Sequence, residues 1–205
     1  MARDPGSLGS ESTRGDETRA RILAVAMDAF ARDGFDGTSV RSIASRCGLS
    51  DAAVFYYFPT KRHLLEALWS EGPSGEFPRA EPGAQLTPER IADLVIATMR
   101  LSARNFSYLR LVAREVLRSD ATATALRNAS RARWRQALHE HFAAAGPRAA
   151  ALVDLFMAAV TGYLLRLEIE TGDGYPEAVL DPATQERVAR AVQDLIPLPA
   201  AASAP

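Results

Sequence analysis

The sequence is poor in cysteine and in lysine: it has one of each, Cys47 and Lys61, among 205 residues. A single cysteine forms no internal disulfide, so nothing calls for an oxidising compartment and a cytoplasmic location is expected. Lysine and arginine together number 24 against 25 acidic residues, a formal net charge of −1. Overall charge therefore gives no argument for binding nucleic acid or a membrane, and such an argument must come from local placement.

Long hydrophobic runs are also missing. The longest nearly uncharged apolar stretch, 149–165, is interrupted by Asp154 and is shorter than the roughly 20 residues that span a bilayer. We interpret it as a buried helix and expect no membrane partner. Residues 1–15 lack the apolar centre of a secretion signal. They are predicted to form a disordered tail, as are residues 197–205.

Catalytic and metal-binding motifs are absent as well. The sequence has no Gly-x-Ser-x-Gly elbow and no phosphate-binding loop. His139 and His141 are two positions apart on a predicted helix, so they point to different faces and are poorly placed to share a metal. The thiol of Cys47, on the apolar face of a short helix, is expected to be buried and inert rather than a redox switch. We predict no enzymatic activity, no cofactor and no metal.

Apolar residues recur at steps of three and four along most of the chain, and no segment alternates as a strand does. The sequence predicts an all-α fold. Helices are expected at 17–33, 40–47 after the N-cap Ser39, 51–57 after the N-cap Ser50, from Thr60 onward, and at 88–104, 106–118, 121–145, 148–171 and 182–195. Four prolines and three glycines in 71–88 indicate a domain boundary. The predicted division is 16–70, a linker at 71–87, and 88–196.

Two of the short helices are separated only by the turn Gly48-Leu49-Ser50, with a longer helix in front. This is the outline of a helix-turn-helix DNA reader, whose second helix enters the major groove. An apolar cluster is expected to hold the two helices together: Ile43, Ala44, Cys47, Leu49, Val54 and Phe58. The opposite face offers side chains that can meet phosphates and base edges: Arg41, Ser50, Ala52, Ala53, Tyr56 and Tyr57.

Residues 17–69 resemble the DNA-binding region of TetR-type transcriptional regulators. The resemblance is carried by 30–44 (FARDGFDGTSVRSIA), 47–50 (CGLS) and 54–61 (VFYYFPTK). It implies an N-terminal three-helix helix-turn-helix domain followed by a helical bundle for ligand binding and dimerisation. The implied function is a ligand-responsive regulator, most often a repressor released from a palindromic operator by a small molecule.

Matched position by position, the resemblance implies a set of operator contacts: Thr38, Ser39, Arg41, Ser50, Asp51, Ala52, Phe55, Tyr56, Tyr57 and Lys61. Three of these depart from the family pattern: Phe55, Asp51, and Tyr57, which stands where histidine is common. Phe55 replaces a frequent tyrosine and so lacks its hydroxyl. The carboxylate of Asp51 either accepts a hydrogen bond from a cytosine amino group or only compensates the helix dipole.

Helix 148–171 is apolar nearly all round, so it has to be covered on both sides. With helix 182–195 it is expected to form a four-helix dimer interface across a two-fold axis. The residues assigned to this interface are Leu152, Leu155, Phe156, Ala159, Gly162, Val188, Val192 and Leu195.

An interior rich in aromatic residues and methionine suits a hydrophobic or amphipathic effector. The candidate pocket residues, for which plain core packing is the alternative, are Met99, Phe106, Leu109, Val112, Trp134, Leu138, Phe142, Met157 and Tyr163. A rival function also stays open: a dimeric helical small-molecule-binding or scaffold protein that has lost operator binding, with Asp51 and Phe55 marking the loss.

Overall fold

The structure is a computed structural model that describes residues 7–73, 75–81 and 83–196, with side chains from Arg14 onward. All regular secondary structure in these ranges is helical, which confirms the predicted fold class. The helices are α1 Ser7–Gly37, α2 Val40–Cys47, α3 Asp51–Tyr57, α4 Lys61–Glu71, α5 Pro88–Arg104, α6 Phe106–Leu117, α7 Ala121–Phe142, α8 Ala149–Thr171, α9 Tyr175–Leu180 and α10 Pro182–Leu195.

Side-chain caps place the boundaries of the short helices where the sequence predicts them. The Ser39 hydroxyl accepts from the Ser42 amide at the start of α2, and Ser50 accepts from the Ala53 amide at the start of α3. Gly48 ends α2 in the left-handed region at φ 66°. A side chain rarely tolerates that conformation, so glycine allows the sharp reversal into α3.

Two elements, α1 and α9, differ from the prediction. Helix α1 begins at Ser7, so only residues 1–6 of the predicted tail 1–15 remain untested, and they lie outside the described residues, as does 197–205. The helical path of α1 breaks at Gly34, close to the predicted end. Helix α9 falls within a predicted loop, because its six residues are too few for a visible helical period and include Pro176.

The chain divides into two compact units. The N-terminal unit comprises the described residues up to Pro73 together with Ser107–Leu126. Its core joins α1–α4 to α6: Leu111 and Val112 are buried in the same cluster as Phe30 and Ile43. The sequence assigns 107–126 to the C-terminal domain, and the structure corrects this because the buried face of most of α6 packs in the N-terminal core.

The C-terminal unit comprises the described residues in 75–106 and 127–196. Its core is built mainly from α5, α7, α8, α9 and α10, with Met99, Leu138 and Phe156 fully buried. Part of the predicted linker 71–87 packs against the C-terminal unit. Leu86 is buried in this core, and the Phe77 ring centroid lies 5.4 Å from that of Trp134.

Candidate functional site

The apolar side of the helix-turn-helix is assembled as predicted. Ile43, Ala44 and Val54 are fully buried, and Phe58 is nearly so. The Leu49 amide donates to the Ala44 carbonyl at 2.9 Å, which fixes the turn between α2 and α3. Cys47 is buried too, and the loss of hydration raises the pKa of its thiol. A thiol held neutral in this way is a poor nucleophile.

The opposite side of α2 and α3 is open to solvent. Ser39, Arg41, Ser50, Asp51 and Ala52 are exposed. Two aromatic side chains on α3 are exposed as well: Phe55 by 44% and Tyr56 by 83%. An exposed pair of large aromatic side chains on a seven-residue helix indicates a binding surface rather than a packing role.

Unlike two other arginines near this side, Arg41 has a guanidinium group that is not used in an ion pair between described side chains. The Arg46 guanidinium donates to Asp28, and Arg32 donates to Asp33 and holds the pKa of that carboxyl below its usual range. Among the side chains that the structure describes, none forms an ion pair with Arg41. Arg41 is therefore free to meet a phosphate.

Thr38 is a correction to the predicted operator contacts. Its side chain is 4% exposed, and its hydroxyl donates to the carbonyls of Gly34 at 2.9 Å and Ala29 at 3.2 Å. Its backbone amide donates to the Phe35 carbonyl. Thr38 thus closes the end of α1 and offers no donor to DNA.

Lys61 has a role that sequence reasoning missed. Its ammonium group donates to the Phe35 carbonyl at 2.8 Å and to the Thr38 carbonyl at 3.0 Å. The same Nζ atom lies 4.3 Å from the centroid of the Phe35 ring, a cation–π distance. Two of its three N–H donors are used inside the chain, so Lys61 positions the start of α2 and retains at most one donor for a phosphate. Tyr57 is half-buried and only partly on the open side.

The predicted effector residues do not all lie in the same unit of the structure. Met99, Leu138 and Phe142 are buried in the core of the C-terminal unit, and half-buried side chains pack against that core: Phe106, Met157 and Tyr163. Trp134 is half-buried too, and its ring lies beside that of Phe77. Leu109 is 41% exposed, and Val112 belongs to the core of the N-terminal unit. Both are corrections, because all of α6 after Phe106 groups with the N-terminal unit.

Two open grooves mark the surface of the C-terminal unit. The larger, of about 580 Å³, lies beside the start of the turn after α7 and is lined by Ala80, Glu81, Gly83, Ala84, Gln85, Glu140, Ala143 and Ala144. The smaller, of about 370 Å³, lies between α5 and α10. Neither groove is lined by a predicted effector residue.

A polar contact lies inside the C-terminal unit, and sequence reasoning missed it. The hydroxyls of Ser102 on α5 and Tyr175 on α9 are 2.6 Å apart and buried. The Tyr175 ring stacks on Phe106 with a centroid distance of 4.7 Å and an interplanar angle of 20°. Burial raises the pKa of Tyr175 to about 12. The isolated Tyr-Pro pair in a predicted loop gave no periodic signal.

Four residues assigned to a dimer interface are unavailable for one. Leu152, Phe156, Val188 and Val192 are each at most 4% exposed within the single chain. Leu155 and Ala159 are half-buried, whereas Gly162 is exposed and Leu195 is 51% exposed. The correction arises because an all-round apolar helix does not show from its sequence which face the chain itself covers.

The uncovered side of α8 lies elsewhere on the helix. Leu165 is 55% exposed and Ile169 is 76% exposed, and a Cβ atom added to Gly162 would contact nothing within 4 Å. By length and composition alone, one stretch within Ala121–Leu180 would suffice to cross a membrane. The sequence predicts α8 to be a buried helix, and the structure buries only one side of it in the core of this unit, including Leu152, Phe156 and Val160.

The comparisons with known sequences each match half of the chain or less. Residues 22–68 match the family "Bacterial regulatory proteins, tetR family". YttP of Bacillus subtilis (strain 168), named as an HTH-type transcriptional regulator, is 35% identical over 104 residues, 48% of this chain and 50% of YttP. The repressor KstR of Mycobacterium tuberculosis is 38% identical over 58 residues, 28% of this chain and 26% of KstR. The chain thus spans half the length of these relatives or less.

Solved structures match over most of the chain. A transcriptional regulator from Rhodococcus sp. Rha1 has a TM-score of 0.61 and 24% identity, covering 87% of this chain and 95% of that one. A regulator from Saccharomonospora viridis in complex with choline has a TM-score of 0.59 and 20% identity, covering 88% and 96%. At these identities the likeness shows the fold.

Proposed function

We propose that this chain, whose residues 22–68 match the TetR family of bacterial regulatory proteins, is a ligand-responsive transcriptional regulator of that family that binds a palindromic operator as a homodimer. The observation that carries the proposal is the open side of α2 and α3, with an unpaired arginine and two exposed aromatic side chains beside two capped helix starts. The family is one of regulators and not of enzymes. The site of action is the cytoplasm, where the operator lies.

The contacts on DNA divide by chemistry. Ser39 and Arg41 at the start of α2, and Ser50 at the start of α3, meet phosphates, because hydroxyls, guanidinium groups and helix N-terminal amides position a protein on the duplex. Tyr56 and Phe55 project from α3 toward the base edges, with Ala52 beside them. Asp51 accepts from a cytosine amino group or compensates the dipole of α3.

Dimerisation uses the open side of α8 together with α10. Leu165, Ile169 and Leu195 expose apolar surface that a second copy would cover, and Gly162 allows the two helices to approach closely. Binding to two half-sites of a palindrome requires the two α3 helices of such a dimer to lie about 34 to 36 Å apart, one turn of the duplex.

The effector acts by linkage. A small hydrophobic or amphipathic molecule bound in the C-terminal unit favours a conformation whose α3 helices no longer match the operator. The effector then lowers the affinity for the operator by the same factor by which the operator lowers the affinity for the effector. The choline-bound neighbour of the same fold supports a small-molecule site, and the repressor KstR supports repression.

A fluorescence-anisotropy titration with the DNA upstream of the chain's own coding sequence tests the proposal, with a scrambled duplex of equal length as the control. We expect the upstream duplex to bind at least about a thousandfold more tightly. Equal affinity for both duplexes would reject operator binding and favour the rival function of a dimeric helical small-molecule-binding or scaffold protein.

A further inference from the structure

Tyr175 reaches the core of the C-terminal unit from the shortest helix of that unit. Helix α9 has six residues and follows the turn Gly172–Gly174, in which Gly172 has φ 56°. A helix this short is not stable by itself and is held by the packing of its buried side chains, Tyr175 and Val179. The position of α9 therefore depends on these two side chains rather than on the helix itself.

The hydroxyl pair in this core stabilises the fold little more than an apolar pair would. Ser102 and Tyr175 are 5% and 3% exposed. Two buried hydroxyls that bond to each other add little net free energy, and an apolar pair of the same shape would serve as well. Removing one partner, in contrast, leaves the other hydroxyl buried and unsatisfied. The pair therefore acts as a selective element: whatever replaces the Tyr175 side chain must also bond to Ser102.

The Phe106 ring adds the second requirement. It stacks on the Tyr175 ring at 4.7 Å with the two planes 20° apart. Offset stacking of this kind favours a flat aromatic partner over an aliphatic one. Phe106 and Ser102 together specify a planar ring with a hydroxyl group.

We propose that Ser102 and Phe106 form a recognition site for phenol-type effectors, which the chain's own Tyr175 occupies in the ligand-free protein. The inference rests on the proposed effector function of the C-terminal unit. An incoming phenol stacks on Phe106, bonds to the Ser102 hydroxyl and displaces Tyr175 together with α9. Because only Asp181 separates α9 from α10, the displacement reaches a helix proposed to form the dimer interface.

The test is isothermal titration calorimetry on the full-length protein without DNA, with p-cresol as the probe and toluene as the matched probe that lacks the hydroxyl. The wild type is expected to bind p-cresol more tightly than toluene. Tyr175→Ala removes the internal competitor and leaves an apolar space of the kind that small aromatic molecules fill. It should bind p-cresol about tenfold more tightly than the wild type, because the site is already empty and Tyr175 does not have to leave it before p-cresol binds.

Adding Ser102→Ala to Tyr175→Ala should reduce the p-cresol affinity to that of toluene. Tyr175→Phe, which keeps the ring and the core volume, should still bind p-cresol more tightly than the wild type, because no internal hydroxyl competes for Ser102. Tyr108→Phe, at a buried tyrosine of α6 in the core of the N-terminal unit, is the matched control and should leave both affinities unchanged. Equal affinity of the Tyr175 variants and the wild type for p-cresol, or no preference for p-cresol over toluene, would overturn the site.

The two proposals fail separately. Calorimetry without DNA tests the site, and loss of p-cresol binding there leaves operator binding intact. An anisotropy titration of the operator with and without p-cresol tests the regulation. If p-cresol binds but operator affinity is unchanged, the effector function is overturned.

Discussion

The Nζ atom of Lys61 lies 2.8 Å from the carbonyl oxygen of Phe35, so the first residue of α4 is hydrogen-bonded to the last turn of α1. A second bond from the same atom reaches the carbonyl of Thr38, the residue before the N-cap of α2. A cation at this place also compensates the negative end of the α1 dipole. The start of α2, and with it Arg41, is positioned by this one side chain.

Lys61→Met should therefore lower stability and operator affinity together. Two charge-assisted hydrogen bonds are lost, one at each of the carbonyls of Phe35 and Thr38, so the free energy of unfolding should fall by about 1 to 3 kcal/mol. Urea unfolding followed by circular dichroism measures this. Arg62→Met, at the exposed neighbouring position, is the control and should change stability by less than about 1 kcal/mol. Equal effects of the two substitutions would mean that the bonds of Lys61 add nothing.

Arg41→Ala should weaken DNA binding without changing the melting temperature, because the side chain is exposed and has no ionic partner among the described residues. If Arg41 neutralises one phosphate, the slope of log affinity against log salt should fall by about 1 in each protomer. Anisotropy titrations at several salt concentrations measure the slope. Arg131→Ala on α7 is the matched control, since this arginine is equally exposed. An unchanged slope for Arg41→Ala would remove it from the interface.

Much of the fold was predictable because helix ends are local events. Ser39, Ser50 and Thr87 each cap a helix within three residues of their own position, and a sequence shows such spacings directly. The choice between exposed and buried positions on one helix is not local. Thr38 and Ser39 are adjacent hydroxyl residues, yet only the fold-back after α1 buries the first of them.

The C-terminal unit shows the same limit on a larger scale. Helix α8 is apolar on more than one face, so its period does not show whether Phe156 or Leu165 faces the chain's own core. Val112 packs with residues more than forty positions earlier, which no local pattern reveals. Helix α9 brings Tyr175 to Ser102 across 73 positions. Contacts of this range depend on the whole chain.

The stability of the protein should fall steeply in alkaline solution through Tyr175. Burial raises the pKa of this phenol from 10.0 to about 12, so between these pH values the unfolded chain loses a proton that the folded chain keeps. The contribution is complete below pH 10 and is lost as the pH rises toward about 12. Urea unfolding at a series of pH values should show a weaker decline for Tyr175→Phe than for the wild type. Parallel declines would contradict the raised pKa.

Glu115→Met should stabilise the N-terminal unit. The carboxylate is buried, its Oε1 atom has no hydrogen-bond partner among the described residues, and its Oε2 atom is 3.9 Å from Nε of Arg118. A methionine of similar shape removes an incompletely satisfied charge, so the unfolding free energy should rise by about 1 kcal/mol or more. Glu66→Met, on an exposed carboxylate, is the control. A lower melting temperature for Glu115→Met would show that its interaction with Arg118 outweighs the burial of the charge.

Leu165→Asp should convert the proposed dimer to a monomer. Leu165 is 55% exposed in the single chain, so a charge there is tolerated by the monomer but would be buried and unpaired between two copies. Sedimentation equilibrium measures the mass, and circular dichroism should show an unchanged helical content. Leu117→Asp is the matched control, because Leu117 is 86% exposed but lies on α6, outside the proposed interface. Operator affinity should fall with the dimer, since one α3 helix alone contacts only a half-site. A Leu165→Asp protein that remains dimeric would place the contact between copies on another surface, and the predicted spacing of the half-sites would lose its basis.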